Sequence, residues 1–160
     1  MTVLRRLSVL LLALCCCACS TGDAADVPQA TPIPTPQVLE GLRRNEEGIP
    51  LLDVYLHEEE TIRSMDIERY VCGVLAGEMR NDWPLEALKA QAILARTFVL
   101  KFVSEKESRY EGADISTDIT EAQAYNAAEI NERIEQAVAE TCGQVLLTAS
   151  GELPYAWFHA

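Results

Sequence analysis

The chain has 160 residues, 13 Lys and Arg against 25 Asp and Glu, and a formal net charge of -12. Such an acidic balance is the wrong sign for neutralising phosphates, so a nucleic-acid partner is excluded, and so is simple electrostatic adhesion to anionic surfaces. With 49% hydrophobic residues the chain can build a core, and its length suits one domain of ordinary size.

The first eighteen residues read as an export leader. Arg5 and Arg6 precede an apolar run from Leu7 to Ala18, shorter than the ~20 residues that span a bilayer as a helix. The run ends in Ala18-Cys19-Ser20, which resembles the lipobox of bacterial lipoproteins, where the cysteine is acylated and becomes the new N-terminus. Cys19 is the expected lipidation site. Cys17, with Leu14 three places before it, is the competing one, and cleavage of an ordinary secretory signal is the third alternative. Residues 19–48, with Pro28, Pro32, Pro34 and Pro36, read as a Pro-rich tether, because such a stretch favours polyproline II and cannot bury a core. The folded domain is expected over 49–160.

Within it, 50–56 reads as a strand and the acidic stretch after it as a turn. Ile67, Tyr70, Val71, Val74 and Leu75 recur at helical spacing, which predicts a helix over 65–79 with Ser64 or Asp66 as its cap. A second helix is expected over 83–103, with Pro84 in its first turn and Leu85, Leu88, Ala92, Ala95, Val99 and Phe102 as its buried stripe. Residues 110–125 read as irregular, 128–142 as a third helix closed by Gly143, and 144–148 and 153–159 as strands around a turn at 149–152. The class is α+β: a helix pair, a later helix and short antiparallel strands. The chain stops inside an apolar run, so the domain is expected to be incomplete at its C-terminus.

Glu78 continues the stripe of Ile67, Val71 and Val74. A carboxylate at the end of an apolar stripe loses part of its water, which is the environment of a general acid. A solvated carboxylate on a fraying helix end fits the same spacing. Gln91 and Arg96 lie on a helix otherwise rich in Leu, Ile, Val, Ala and Phe. A buried arginine needs a partner, for which Glu78 is a candidate, and snorkelling to the surface is the alternative. His57 and His159 are the only histidines and neither has zinc-ligand spacing. Cys72 and Cys142 could pair or remain free thiols.

Residues 65–102 resemble the stage II sporulation protein D (SpoIID/LytB) family. The resemblance rests on Tyr70-Val-x-Gly-Val, Glu78-Met79, Trp83-Pro84 and Leu85-Glu-Ala-Leu-Lys-Ala-Gln-Ala-x-x-Ala-Arg-Thr97. It continues more weakly through Gln123-Ala-Tyr125 and 134–145, and covers roughly 50–160. It implies a SpoIID-like fold and a lytic transglycosylase acting on peptidoglycan strands that have lost their stem peptides, with Glu78 as catalytic acid and base. Gln91, Arg96, Gln123 and Tyr125 become sugar-positioning groups. The partners that the resemblance implies are glycan strands and a cell-wall amidase; the leader adds a membrane reached through the lipid anchor, at the outer face of a Gram-positive type membrane. No cofactor is implied. Some family members bind zinc through a Cys-and-His segment before the Gln-x-Tyr, but here Ser116, Glu121 and Ala122 stand in that stretch, so no metal is expected. A non-catalytic amidase enhancer and an inactive fragment are the rival readings.

Overall fold

A computed structural model describes residues 41–80 and 82–156. The leader, Cys17, Cys19, the tether up to residue 40 and His159 lie outside the described residues. The architecture is α+β. In chain order it runs β1 (Leu51–Leu56), β2 (Thr61–Asp66), α1 (Ile67–Glu78), α2 (Leu85–Glu105), β3 (Ile115–Ser116), a 3-10 turn (Ala127–Glu129) and α3 (Glu132–Glu140). No helix among the described residues is long and apolar enough to cross a membrane.

The sheet is built around β1, with order β2-β1-β3. Alternation in LLDVYL sends Leu52, Val54 and Leu56 into the core, as a half-buried strand requires. β2 pairs with it antiparallel from Leu51 opposite Asp66 to Leu56 opposite Thr61. β3 pairs parallel, with Val54 opposite Ile115, so the sheet is mixed rather than purely antiparallel. Before β1 the chain already touches the domain: Arg44 and Pro50 form a bridge, Arg43 pairs with Asp53, and Leu42 packs on the core.

β2 replaces the turn and helix start expected at 58–66. Thr61 to Ser64 are exposed, so the strand carries no alternation in hydrophobicity, and only its main-chain pairing with β1 makes it a strand. Asp66 then ends β2 and caps α1, its carboxylate accepting the Arg69 amide at 2.8 Å. Helix α1 buries Ile67, Tyr70, Val71, Val74 and Leu75 as the periodicity predicts. Helix α2 buries Leu88, Ala92, Ala95, Val99 and Phe102, and both pack with α3 around Ile134, Ala137 and Val138.

The third helix is shorter than 128–142 because two asparagines divide it. The Asn126 side chain caps the 3-10 turn through Ala128, and Asn131 caps a new start through the Ile134 amide at 3.0 Å. Gly143 has φ 71, the left-handed conformation expected where the helix closes. Residues 144–148 are not a strand. The Leu146 amide donates to the Thr97 hydroxyl at 2.9 Å and the Gln144 carbonyl accepts from Arg96 at 3.0 Å, so side chains of α2 take the bonds a neighbouring strand would have supplied. Residues 153–156 are likewise irregular.

Arg96 does not pair with Glu78. Only 1% exposed, it binds Glu68 of α1 through Nε at 2.9 Å and through Nη2, and donates from Nη1 to the carbonyls of Ala92 and Gln144. One guanidinium thus ties α1, α2 and the chain after α3 together. A second polar lock closes the 108–121 loop. The Asp118 carboxylate accepts the amide and hydroxyl of Thr120 at 2.8 Å each and the Tyr110 hydroxyl at 2.8 Å. Those bonds, the Thr120 amide foremost, hold its carboxyl down at about 2. Tyr110 stacks on Tyr55 of β1 with ring centres 3.9 Å apart, so the lock is attached to the sheet.

Two outcomes follow from these locks. Glu68→Ala leaves a buried guanidinium uncompensated and is expected to lower unfolding free energy by about 3–5 kcal/mol in urea titration; a loss near zero would contradict the role given to Arg96. For Asp118 the folded pKa lies below the ordinary 3.8, so its charged form stabilises the fold above that value and ceases to do so as pH falls toward 2. The stability gap between wild type and Asp118→Asn is therefore expected to narrow over that window, and a gap constant with pH would contradict it.

Candidate active site

Glu78 is the last residue of α1 and is half-buried. Its helix ends there because Met79 turns to extended backbone while its amide still bonds the Leu75 carbonyl at 2.9 Å. Among the described residues its partner is a main-chain group: Oε1 accepts the Ala124 amide at 2.8 Å. The carboxylate is therefore held against the protein on one side rather than waving in solvent, and Oε2 is left without a described partner.

The segment 123–126 comes to Glu78 because it lies along α1. The Asn126 amide donates to the Gly73 carbonyl at 2.9 Å, which fixes the register. The Tyr125 ring stacks on Tyr70, centres 5.6 Å apart, and Tyr70 in turn donates its hydroxyl to the Ser116 carbonyl of β3 at 3.0 Å. Burial pushes the Tyr70 hydroxyl far above its usual range, so it stays a neutral donor. The same cause raises the half-buried Tyr125 hydroxyl. A path of contacts thus runs from the sheet through Tyr70 and Tyr125 to the end of α1.

Of the residues singled out in the sequence, the structure brings Gln123 and Tyr125 into the segment that touches Glu78. Gln123 is 5% exposed, and among the described residues neither its Oε1 nor its Nε2 has a partner. Gln91, 6% exposed on α2, has an unpartnered Nε2. Buried amide atoms without partners are uncommon in folded proteins, and ordered water commonly satisfies such groups; neither glutamine lines the cleft described next. Arg96 is taken up by Glu68 and main-chain carbonyls instead.

Beside this segment lies a cleft of about 660 Å³. Leu56, Ile119 and Tyr125 give it apolar wall, and His57, Thr117 and Asn126 give it hydrogen-bonding groups. Ala124, whose amide holds Glu78, also lines it. Sequence reasoning did not find this cleft, nor His57 as part of it. The His57 ring lies 3.3 Å from the Tyr110 hydroxyl, a contact between positions 53 apart that no local pattern reveals.

The donor set does not fit a zinc ion. Glu121 accepts from Ser108 and from the Arg109 amide, the Ser116 hydroxyl accepts the Asp118 amide, and position 122 is alanine. Among the described residues no three His, Cys, Asp or Glu side chains converge on one point. Cys72 and Cys142 are both free thiols. Burial pushes Cys72 up to about 11, and desolvation with the nearby Glu68 raises Cys142.

The family model for SpoIID, described as Stage II sporulation protein, matches residues 55–147. Over 126 residues the chain is 32% identical to stage II sporulation protein D of Bacillus subtilis strain 168, covering 71% of this chain and 36% of that protein. The protein of the same name from Bacillus amyloliquefaciens is 33% identical over 106 residues, covering 58% and 31%. An uncharacterised protein of Brachyspira hyodysenteriae is 42% identical over 81 residues, covering 50% and 22%. The chain thus spans well under half the length of these relatives. The matched region contains α1, α2, Glu78 and the 123–126 segment, and the chain belongs to the SpoIID family of stage II sporulation proteins.

Proposed function

We propose that this chain carries the acid of a peptidoglycan lytic transglycosylase that cleaves the bond between MurNAc and GlcNAc in glycan strands stripped of stem peptides. The observation that carries the reading is the environment of Glu78, half-buried and tied through one oxygen to the main-chain amide of Ala124, a residue that itself lines the cleft.

A single carboxyl group suffices for this reaction. Ordinary glycosidases need two, because one protonates the leaving oxygen while the other activates water or attacks the anomeric carbon. In muramyl glycan the C6 hydroxyl of the sugar being cut is an internal nucleophile. Glu78 gives its proton to the glycosidic oxygen as the C1–O4 bond breaks. The C6 oxygen then closes on C1, and the Glu78 carboxylate takes the hydroxyl proton, which regenerates the acid and leaves 1,6-anhydro-MurNAc. The tethered hydroxyl supplies the proximity that an enzyme would otherwise build for water.

The cleft offers pyranose-like complementarity, since sugar rings present C–H faces to apolar wall and hydroxyls to groups such as Thr117 and Asn126. In this reading Tyr125, Gln123 and Gln91 orient the sugars around Glu78. Denuded strands arise when an amidase removes the stem peptides, so a cell-wall amidase is the upstream partner. We place the protein outside the membrane, held by acyl chains on Cys19, from the leader pattern in its sequence.

The test is Glu78→Gln in the full chain, incubated with denuded glycan and read by mass spectrometry. Anhydro-muramyl products are expected to fall at least about 100-fold, the lower end of what general acid–base catalysis contributes, with the circular dichroism spectrum and thermal midpoint unchanged. Equal product from both proteins would overturn the assignment. Retained glycan binding with no product from either would favour the binding-module reading.

A further inference from the structure

Helix α1 contains two glycines one turn apart, Gly73 and Gly77, on the face that meets residues 124–126. Neither has a positive φ, so backbone conformation is not the reason for glycine. Space is. A methyl carbon at Gly77 would lie 2.7 Å from both the Ala124 carbonyl carbon and the Tyr125 nitrogen. At Gly73 it would lie 2.1 Å from Cε2 of the Tyr125 ring. Both distances are far inside van der Waals contact, and at Gly77 the obstacle is main chain, which cannot rotate away. Glycine is among the worst helix formers, and two of them in a twelve-residue helix are consistent with a segment that must lie directly on its backbone.

Close approach is also the condition for two hydrogen bonds, Asn126 to the Gly73 carbonyl at 2.9 Å and Ala124 to Glu78 Oε1 at 2.8 Å. We infer that Gly73 and Gly77 are positioning residues for Glu78: they seat the 123–126 segment so that the Ala124 amide occupies Oε1 and leaves Oε2 as the oxygen that gives and takes the proton. A protonated carboxyl has one carbonyl-type and one hydroxyl oxygen, and an N–H donor selects the carbonyl type because it is the better acceptor. When the carboxyl carries its proton for transfer, Oε2 is the oxygen that holds it. The inference rests on the reading of Glu78 as the proton donor, and it adds which oxygen reacts and what orients it.

The amide resonance of Ala124 in a 15N-labelled full chain tests the contact without reference to activity. Glu78→Ala removes the acceptor of that amide and is expected to move its proton resonance upfield. Gly77→Ala is expected to move it the same way, and to lower kcat for anhydro product at least tenfold while KM changes less than threefold. Gly41→Ala, where a methyl group meets nothing within 4 Å, is the control and should change neither. If Gly77→Ala does not fold, Gly73→Ala replaces it: the Tyr125 ring has to give way to the new methyl group, and the variant should displace the resonance. An Ala124 resonance indifferent to Glu78→Ala, or unmoved in Gly77→Ala with kcat intact, overturns the inference. A wild-type chain that cuts no glycan would defeat the proposed function instead, while the resonance still reads the contact.

Discussion

The close docking of residues 123–126 on α1 is the constraint from which the site follows. It needs a helix with no side chain at two positions on one face, a stacked pair of tyrosines to hold the incoming ring, and a main-chain register set by Asn126 on Gly73. Together they deliver one amide to one carboxylate oxygen. The chemistry proposed for Glu78 therefore depends on backbone geometry more than on neighbouring side chains. A main-chain amide cannot change protonation state or rotamer, which makes it a steady reference for an acid that must give and recover a proton in the same turnover.

Around that contact the polar groups divide by task. Arg96 and Glu68 form a buried pair that joins two helices and the chain after α3, and Asp118 with Tyr110 and Thr120 closes the loop above β3. These charges are consumed by structure. The amides of Gln91 and Gln123 are buried with unpartnered atoms. That contrast matters because a satisfied charge gains little from a ligand, while an unsatisfied buried amide gains a full hydrogen bond. Neutral sugars suit the second kind of group, and an acidic protein needs no cationic patch to hold them.

Much of the fold was legible in the sequence for physical reasons. Both long helices announce themselves through apolar spacing, and the residues on those stripes are the buried ones, apart from Leu85 at the start of α2, which is only partly buried. Asp66 as cap and Gly143 as terminator were readable from their side-chain chemistry. β2 was hidden because its first four residues face water, and a strand held only by main-chain pairing has no hydrophobic signature. Residues 144–148 misled in the opposite direction, since an apolar run beside α2 looks like a strand until Thr97 and Arg96 take its hydrogen bonds. The division of the third helix lay in two asparagines whose side chains had to be recognised as caps.

The site was half legible. Glu78 stood out as the carboxylate ending an apolar stripe, and the family resemblance named it, but nothing local could reveal that Ala124 would hold it, because an amide at 46 positions' distance leaves no trace in residue type. For Arg96, Glu78 was only a candidate partner and Glu68 takes the place, for the same reason: helix periodicity shows that a charge is buried and says nothing of which acid arrives. The two glycines of α1 were visible in the sequence, yet their purpose required knowing what packs against them.

Digestion of denuded glycan by the full chain in water enriched in 18O tests the central claim most directly, because it asks where the attacking oxygen comes from. If one acid works with the substrate's own C6 hydroxyl, the new muramyl terminus is a 1,6-anhydro sugar free of the label. A reducing muramyl terminus carrying 18O would mean that water attacks, and would contradict the account.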